Sequence, residues 1–323
     1  MIKKLILQVA TFLCILLISL GSVQNPITSG YINELSEQAQ TVMKEEDPLY
    51  MELLRRQADY EVDPQDAVVD KVWKAIPGLN GLSVNIQDSY EEMKEFGDFQ
   101  EDKLVFHQIP PQKMLKDLPP SPIYRGHPEK PMVTFMVNVA WGNEYIPEML
   151  EIMKKHDVKA TFFLDGSWVK NNPKLAKMIH EEGHEIGNHA YSHPNMKNLS
   201  TNRILEELQK TNNIIKETLD VEPKWFAPPS GSYRQEVVDI AHKMDMYTVL
   251  WTVDTIDWKK PEPTSMAQRV VDKTDEGTLI LMHPTSSTAK GLEMMIEGMK
   301  QKNLSIGTLS DTLSETRIHL NRR

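Results

Sequence analysis

The chain switches between two hydrophobic rhythms. Residues 131–139 (PMVTFMVNV) are an apolar run of strand length, Gly142 breaks it, and Ile146, Met149, Leu150 and Met153 then recur at helical spacing. The alternation continues to the C-terminus, with strands predicted near 133–139, 160–164, 185–188, 224–227, 247–253, 278–282 and 304–306. Amphipathic helices lie between most of them. The clearest is LSTNRILEELQKTNNIIKETL, where Ser200 is placed to cap and Ile204, Leu208, Ile215 and Leu219 share a face. Seven βα units imply a parallel sheet closing toward a barrel, and such folds gather their chemistry at the C-terminal ends of the strands.

Upstream the pattern differs. Residues 32–60 are polar and helix-prone, interrupted at Asp47-Pro48, and GLSVNIQDSYEEMKEFGDFQEDKLVFHQIPP predicts a short strand, a helix beginning near Asp88 and a second strand over 103–109. This is a small βαβ module. The proline-rich PPQKMLKDLPPSPIYRGHPEKP reads as a linker, so the chain divides into an accessory segment, 27–125, and a main domain, 126–323.

At the N-terminus, Met1-Ile2-Lys3-Lys4 precedes an apolar run over 5–20 and then Gly21, Ser22 and Val23, the pattern of an export signal. A run of this length fits either a cleaved signal peptide or an N-terminal membrane anchor over 1–26, and both place the mature protein outside the cytoplasm. Cys14, the single cysteine, falls inside that run, so neither disulfides nor thiol chemistry operate in the remainder. A formal net charge of -10 argues against nucleic-acid binding, which needs clustered Lys and Arg. Membrane contact is expected through the N-terminal segment only.

The strand ends carry Asn138, then Asp165, then Asn188, His189 and His193, then Pro228-Pro229-Ser230, then Asp254, Asp257 and Trp258, and finally His283. In GHEIGNHAYSHP the two histidines sit four apart, a spacing with which imidazoles chelate a metal such as zinc. A catalytic zinc needs a third protein ligand, and none is obvious. His283 is placed to protonate a leaving amine, and Asp254 or Asp257 to orient it; the plainer alternatives are a satisfied strand-end histidine and turn-capping aspartates.

Taken together, KATFFLDGSW, GHEIGNHAYSHP, FAPPSGSY, LWTVDTIDWKKP and LILMHP resemble the successive motifs of the NodB-type polysaccharide deacetylases, carbohydrate esterase family 4, and among them the deacetylase-like proteins of spore-forming bacteria. The resemblance spans 131–313. It implies a distorted (β/α)7 barrel and metal-dependent hydrolysis of N-acetyl groups, a non-peptide C–N bond, in peptidoglycan or chitin-like sugars. Zinc or another divalent metal would be held by His189 and His193, with His283 as general acid. The fourth motif's acids fall on Asp254 and Asp257, and the backbone N–H of Ser230 is placed to stabilise an oxyanion.

The first motif departs from this pattern. The base aspartate falls on Asn138, the metal aspartate on Val139, the arginine that pairs with the base on Ala227, and the third-motif tyrosine on Ser230. An asparagine cannot accept the proton, which removes a factor of ~10² to 10⁴, and a valine cannot ligate. Asp165, or Glu144 just beyond Gly142, could bring a replacement carboxylate. Two functions therefore compete: a deacetylase of cell-envelope amino-sugar polymers, or an inactive glycan-binding or structural pseudoenzyme without metal, with Trp141, Trp168, Trp225 and Trp258 as sugar-stacking surfaces. Either way the expected partner is a cell-wall glycan. A third reading gives the upstream segment a docking role toward another envelope protein.

Overall fold

The computed structural model describes residues 47–318 together with Lys4, Val9 and residues 11–13. Apart from those five positions the expected export segment, with Cys14, lies outside the described residues, as does the stretch up to 46. Among the described residues no helix is long and apolar enough to cross a membrane. The chain forms two compact units: 47–61 with 83–107, and 62–82 with 108–318.

The second unit is the barrel. Its strands are β1 (Met132–Val139), β2 (Thr161–Leu164), β3 (Glu185–Asn188), β4 (Trp225–Phe226), β5 (Tyr247–Thr248), β6 (Val253–Asp254), β7 (Leu279–Met282) and β8 (Ser305–Ile306). They form one parallel sheet in the order β6-β7-β1-β2-β3-β4-β5, and β8 pairs with the start of β1. β1 is buried along its whole length because both its faces are covered. Val133, Phe135, Val137 and Val139 pack outward against the helices, whereas Met136 packs inward with Phe163, Trp225, Ala227, Val249 and Leu279. By the two-residue period Asn138 shares the inward face of Met136.

The predicted strand over 247–253 divides in two. Its start pairs with β4 and its end with β7, so this one segment closes the curled sheet into a distorted (β/α)7 barrel. Between them Ile123 takes over the pairing: its N–H donates to the Thr248 carbonyl at 2.9 Å, and its carbonyl accepts from Leu250 at 2.7 Å. Ile123 is fully buried, which holds the crossing in place. Also in this unit is an antiparallel hairpin, Val68–Asp70 with Lys74–Ile76, whose Ala75 joins the inward cluster.

Helix α1 (Ile146–Lys155) buries Ile146, Met149, Leu150 and Met153 against the sheet. Next come α2 (Gly166–Asn171), α3 (Pro173–Glu181) and α4 (Thr201–Leu219). In α4 the apolar stripe Ile204, Leu208, Ile215 and Leu219 is buried as its spacing predicts, but Ser200, at the N-cap position, makes no capping hydrogen bond. α5 (Gln235–Lys243), α6 (Pro263–Lys273), α7 (Ser286–Gln301) and α8 (Leu309–Leu313) complete the set.

The first unit holds helices Pro48–Arg56 and Ile86–Met93, N-capped by Asp47 and Asn85, around a core of Leu49, Leu53, Val84, Met93 and Leu104. Strand Phe106–Ile109 begins later than predicted, because residues Glu101–Lys103 form a 3-10 turn instead.

Candidate functional site

The C-terminal strand ends surround a cleft of about 410 Å³ lined by Asn138, Ala140, Trp141, His189, His193, Ser230, Trp251, Asp254, Trp258, Leu281 and His283. Asp257 and Asp165 do not line it. Asp257 lies behind His283, fully buried, where its carboxylate accepts from the His283 ring Nδ1 at 2.8 Å, the His283 backbone N–H at 2.6 Å and the Thr288 hydroxyl at 2.6 Å. These bonds fix the ring with Nε2 as the nitrogen left for the cleft. Asp254 has a different partner: one of its oxygens caps the Ile256 N–H at 2.7 Å.

The His189 and His193 rings lie 5.1 Å apart, centre to centre, at 69°. Their proximity comes from a loop rather than a helical turn, since Ala190 and His193 adopt left-handed φ values of 60° and 51°. Two side chains hold that loop, the strand-end Asn188 and Glu207, which the sequence reading did not single out. Asn188 accepts from Ala190 N–H at 2.7 Å, and the buried Glu207 of α4 accepts from the Tyr191 and Ser192 amides at 2.9 and 2.8 Å and from the Ser192 hydroxyl at 2.8 Å. A carboxylate on the apolar stripe of α4, beside Leu208, is the signal that could have revealed Glu207. His189 donates from Nδ1 to the Ala227 carbonyl at 2.7 Å. Burial, assisted by the neighbouring His193, pushes its pKa down to about 3.

Asp165 is spent on local structure. One oxygen N-caps α2, accepting from the Trp168 N–H at 2.9 Å and the Ser167 hydroxyl at 2.6 Å, while burial raises its pKa. Glu144 is exposed in a short turn, and Val139 is fully buried in the outer cluster. Among the described residues His189 and His193 form no group with a third His, Asp or Glu in which all three ligand atoms lie within 4.8 Å of one another; the one group that meets this spacing is His156, Glu293 and Glu297, none of which lines the cleft. The residues present therefore do not fit a catalytic metal, which needs three protein ligands at about 2 Å. Asn138, 4% exposed, leaves its buried Oδ1 without a hydrogen-bond partner.

The tryptophans sort by position. Trp141 and Trp258 are exposed at the cleft, Trp251 joins them, and Trp168 and Trp225 are core residues whose indole N–H groups bond Asn143 and Glu185. Trp141 stacks on His283 at 5.9 Å and 9°. The turn that carries it depends on Gly142: at φ 86° a Cβ would meet the Pro284 carbonyl oxygen at 2.0 Å. Gly142→Ala is expected to cost about 2 kcal/mol or more and to disturb the stack, read as a lower melting temperature together with a shift in tryptophan emission.

His184 behaves like His189. Burial lowers its pKa to about 4, and its Nδ1 accepts from the Ala160 N–H at 3.1 Å. Both rings stay neutral when folded but titrate near 6.5 when unfolded, so the unfolded chain binds more protons as pH falls. The stability they contribute is whole above about pH 6.5 and is lost toward the folded values. Urea unfolding at pH 7 and pH 5 should differ by about 2 kcal/mol per histidine, reduced by that amount in His184→Phe if the ring still packs.

A profile of the polysaccharide deacetylase family matches residues 125–249. Together with the fold and the cleft, this makes the chain a member of the polysaccharide deacetylases of carbohydrate esterase family 4. It is 52% identical over 318 residues to the uncharacterized protein YlxY of Bacillus subtilis (strain 168), covering 98% of this chain and 99% of that one. The likeness therefore runs through the segment upstream of the barrel too. BA3943 from Bacillus anthracis, described as a CE4 family pseudoenzyme, superposes with a TM-score of 0.82 at 51% identity, covering 85% of this chain and 98% of that one. A mutant of it is described as having restored enzymatic activity, with a TM-score of 0.81 at 51% identity over 84% of this chain and 99% of that one. A peptidoglycan-N-acetylglucosamine deacetylase of Bacillus cereus is 33% identical over 171 residues, 51% of this chain and 62% of that one.

Proposed function

We propose that this chain is a catalytically silent deacetylase relative that binds the amino-sugar glycan of the cell wall. The observation that carries the reading is the division within the cleft. The acid side is intact, with His283 held by Asp257 and Thr288, whereas the base and metal side has Asn138, Val139 and a capped Asp165. Without a base, water is not activated, and without a third ligand two neutral imidazoles hold a metal weakly. What persists is an open, tryptophan-walled groove of a volume suited to a sugar chain.

The pattern at the N-terminus supports export, with the domain either released or tethered at the outer membrane surface, and the family of the B. cereus relative supports peptidoglycan as the polymer. Residues 47–61 with 83–107, the unit distinct from the barrel, would serve as an accessory segment. The test is calorimetry of the full chain, purified in mild detergent, with soluble peptidoglycan fragments, alongside an assay for released acetate. Saturable binding lost in Trp141→Ala, with no acetate, supports the reading; turnover by the unmodified protein, or no binding to any fragment, overturns it.

A further inference from the structure

Resting on the glycan-binding reading, we propose that the cleft selects the free amino group of a de-N-acetylated sugar rather than the acetamido group that the family's enzymes hydrolyse. Three side chains on the cleft wall offer acceptors that the protein leaves without a donor. Asn138 Oδ1 is buried and has no partner. His189 spends its Nδ1–H on the Ala227 carbonyl, which leaves Nε2, and Asp254 spends one oxygen on the Ile256 N–H, which leaves the other. A buried acceptor without a donor is destabilising, so a ligand that supplies N–H groups here recovers that cost.

Charge points the same way. Asp254 lines the cleft and Asp257 lies buried beneath His283, yet no Lys or Arg lines it. Arg269 directs its guanidinium to the backbone carbonyls of Asp254 and Thr255, at 3.0 and 2.5 Å. The Lys259 ammonium lies outside the lining, 4.9 Å over one face of Trp258.

An acetamide offers one N–H and a carbonyl oxygen, and on this wall that oxygen would meet neutral donors only, with no cation. The Ser230 rim, at φ 54°, supplies only neutral donors. An ammonium offers three donors and a positive charge, the complement of what is present. Trp141, 46% exposed with one face against His283, keeps its other face for the sugar ring. The reaction that supplies such a ligand is an N-deacetylation, so this protein would act after an active deacetylase, on that enzyme's product.

The test is a matched pair of ligands, the glucosamine tetramer and its fully N-acetylated counterpart, titrated calorimetrically against the full chain at one pH and salt concentration. The free-amine tetramer is expected to bind at least about tenfold tighter, and Asn138→Leu and Asp254→Asn are each expected to remove most of that preference, read as the ratio of the two tetramers' affinities falling toward one. Asp254→Asn is isosteric and keeps the question decidable should Asn138→Leu fail to fold. Equal or tighter binding of the acetylated tetramer overturns this inference and leaves the glycan-binding reading standing. Binding of neither tetramer removes both. A preference for the amine that survives in both variants marks a general attraction of a polycation to an acidic chain, and also overturns it.

Discussion

Supplied with zinc and N-acetylglucosamine oligomers, the unmodified protein is expected to release no acetate above background, and the double substitution Asn138→Asp, Val139→Asp is expected to give it measurable deacetylase activity. The first aspartate supplies a base on the inward face of β1, worth ~10² to 10⁴ in rate. The second restores an acid at the position where the family's first motif has its metal aspartate, and zinc, once held, lowers the pKa of its bound water far below that of bulk water. Val139 is fully buried among outward-facing apolar side chains, so its replacement by aspartate carries a signature of its own. Without metal an unpaired buried carboxylate costs several kcal/mol, so the variant should melt lower in chelator and recover with zinc. Ala227 still supplies no arginine to hold the base, so the rebuilt rate should stay below that of the family's enzymes. The restored activity described for a BA3943 mutant is a parallel in a similar chain. Acetate release by the unmodified protein, or a double variant indifferent to zinc in both assays, would contradict this account of the loss.

Asp257→Ala should be the most destabilising single change at the cleft. Its carboxylate is fully buried and satisfies three donors: the ring and the backbone N–H of His283 and the hydroxyl of Thr288. Truncation orphans all three, and removing one partner of such a buried group typically costs about 3–5 kcal/mol. In a domain of this size that is a fall of roughly 6–20 °C in melting temperature. Asp257→Asn preserves the shape and one acceptor, so it should lose less. If the alanine variant melts within about 2 °C of the parent, the network is not what holds His283.

The fold was legible wherever both faces of an element are covered by nearby sequence. β1 reads as a strand from its nine-residue apolar run, and α4 from its stripe, because each pattern is local. The closing strand was not, because its division depends on Ile123, more than a hundred residues before it in the chain. The cleft was legible as a set of strand-end polar residues, and the structure brings six of them together: Asn138, His189, His193, Ser230, Asp254 and His283. Their division of labour was less so. That Asp165 caps α2 could have been read from Asp-Gly-Ser-Trp at a helix start, whereas the choice of Asp257 over Asp254 as the partner of His283 depends on β6 and β7 lying side by side. The unpartnered oxygen of Asn138 follows only from what surrounds it, and spacing along the chain does not encode that.

Zinc stoichiometry decides whether the cleft holds a metal. Elemental analysis of the full chain, equilibrated with zinc and then freed of unbound ion, should find no tightly held zinc that depends on His189, so the parent and His189→Ala should give the same value. About one zinc per chain in the parent, absent from both His189→Ala and Asp165→Ala while each remains folded, would mean that Asp165 leaves its helix cap to complete the site, and would contradict the account.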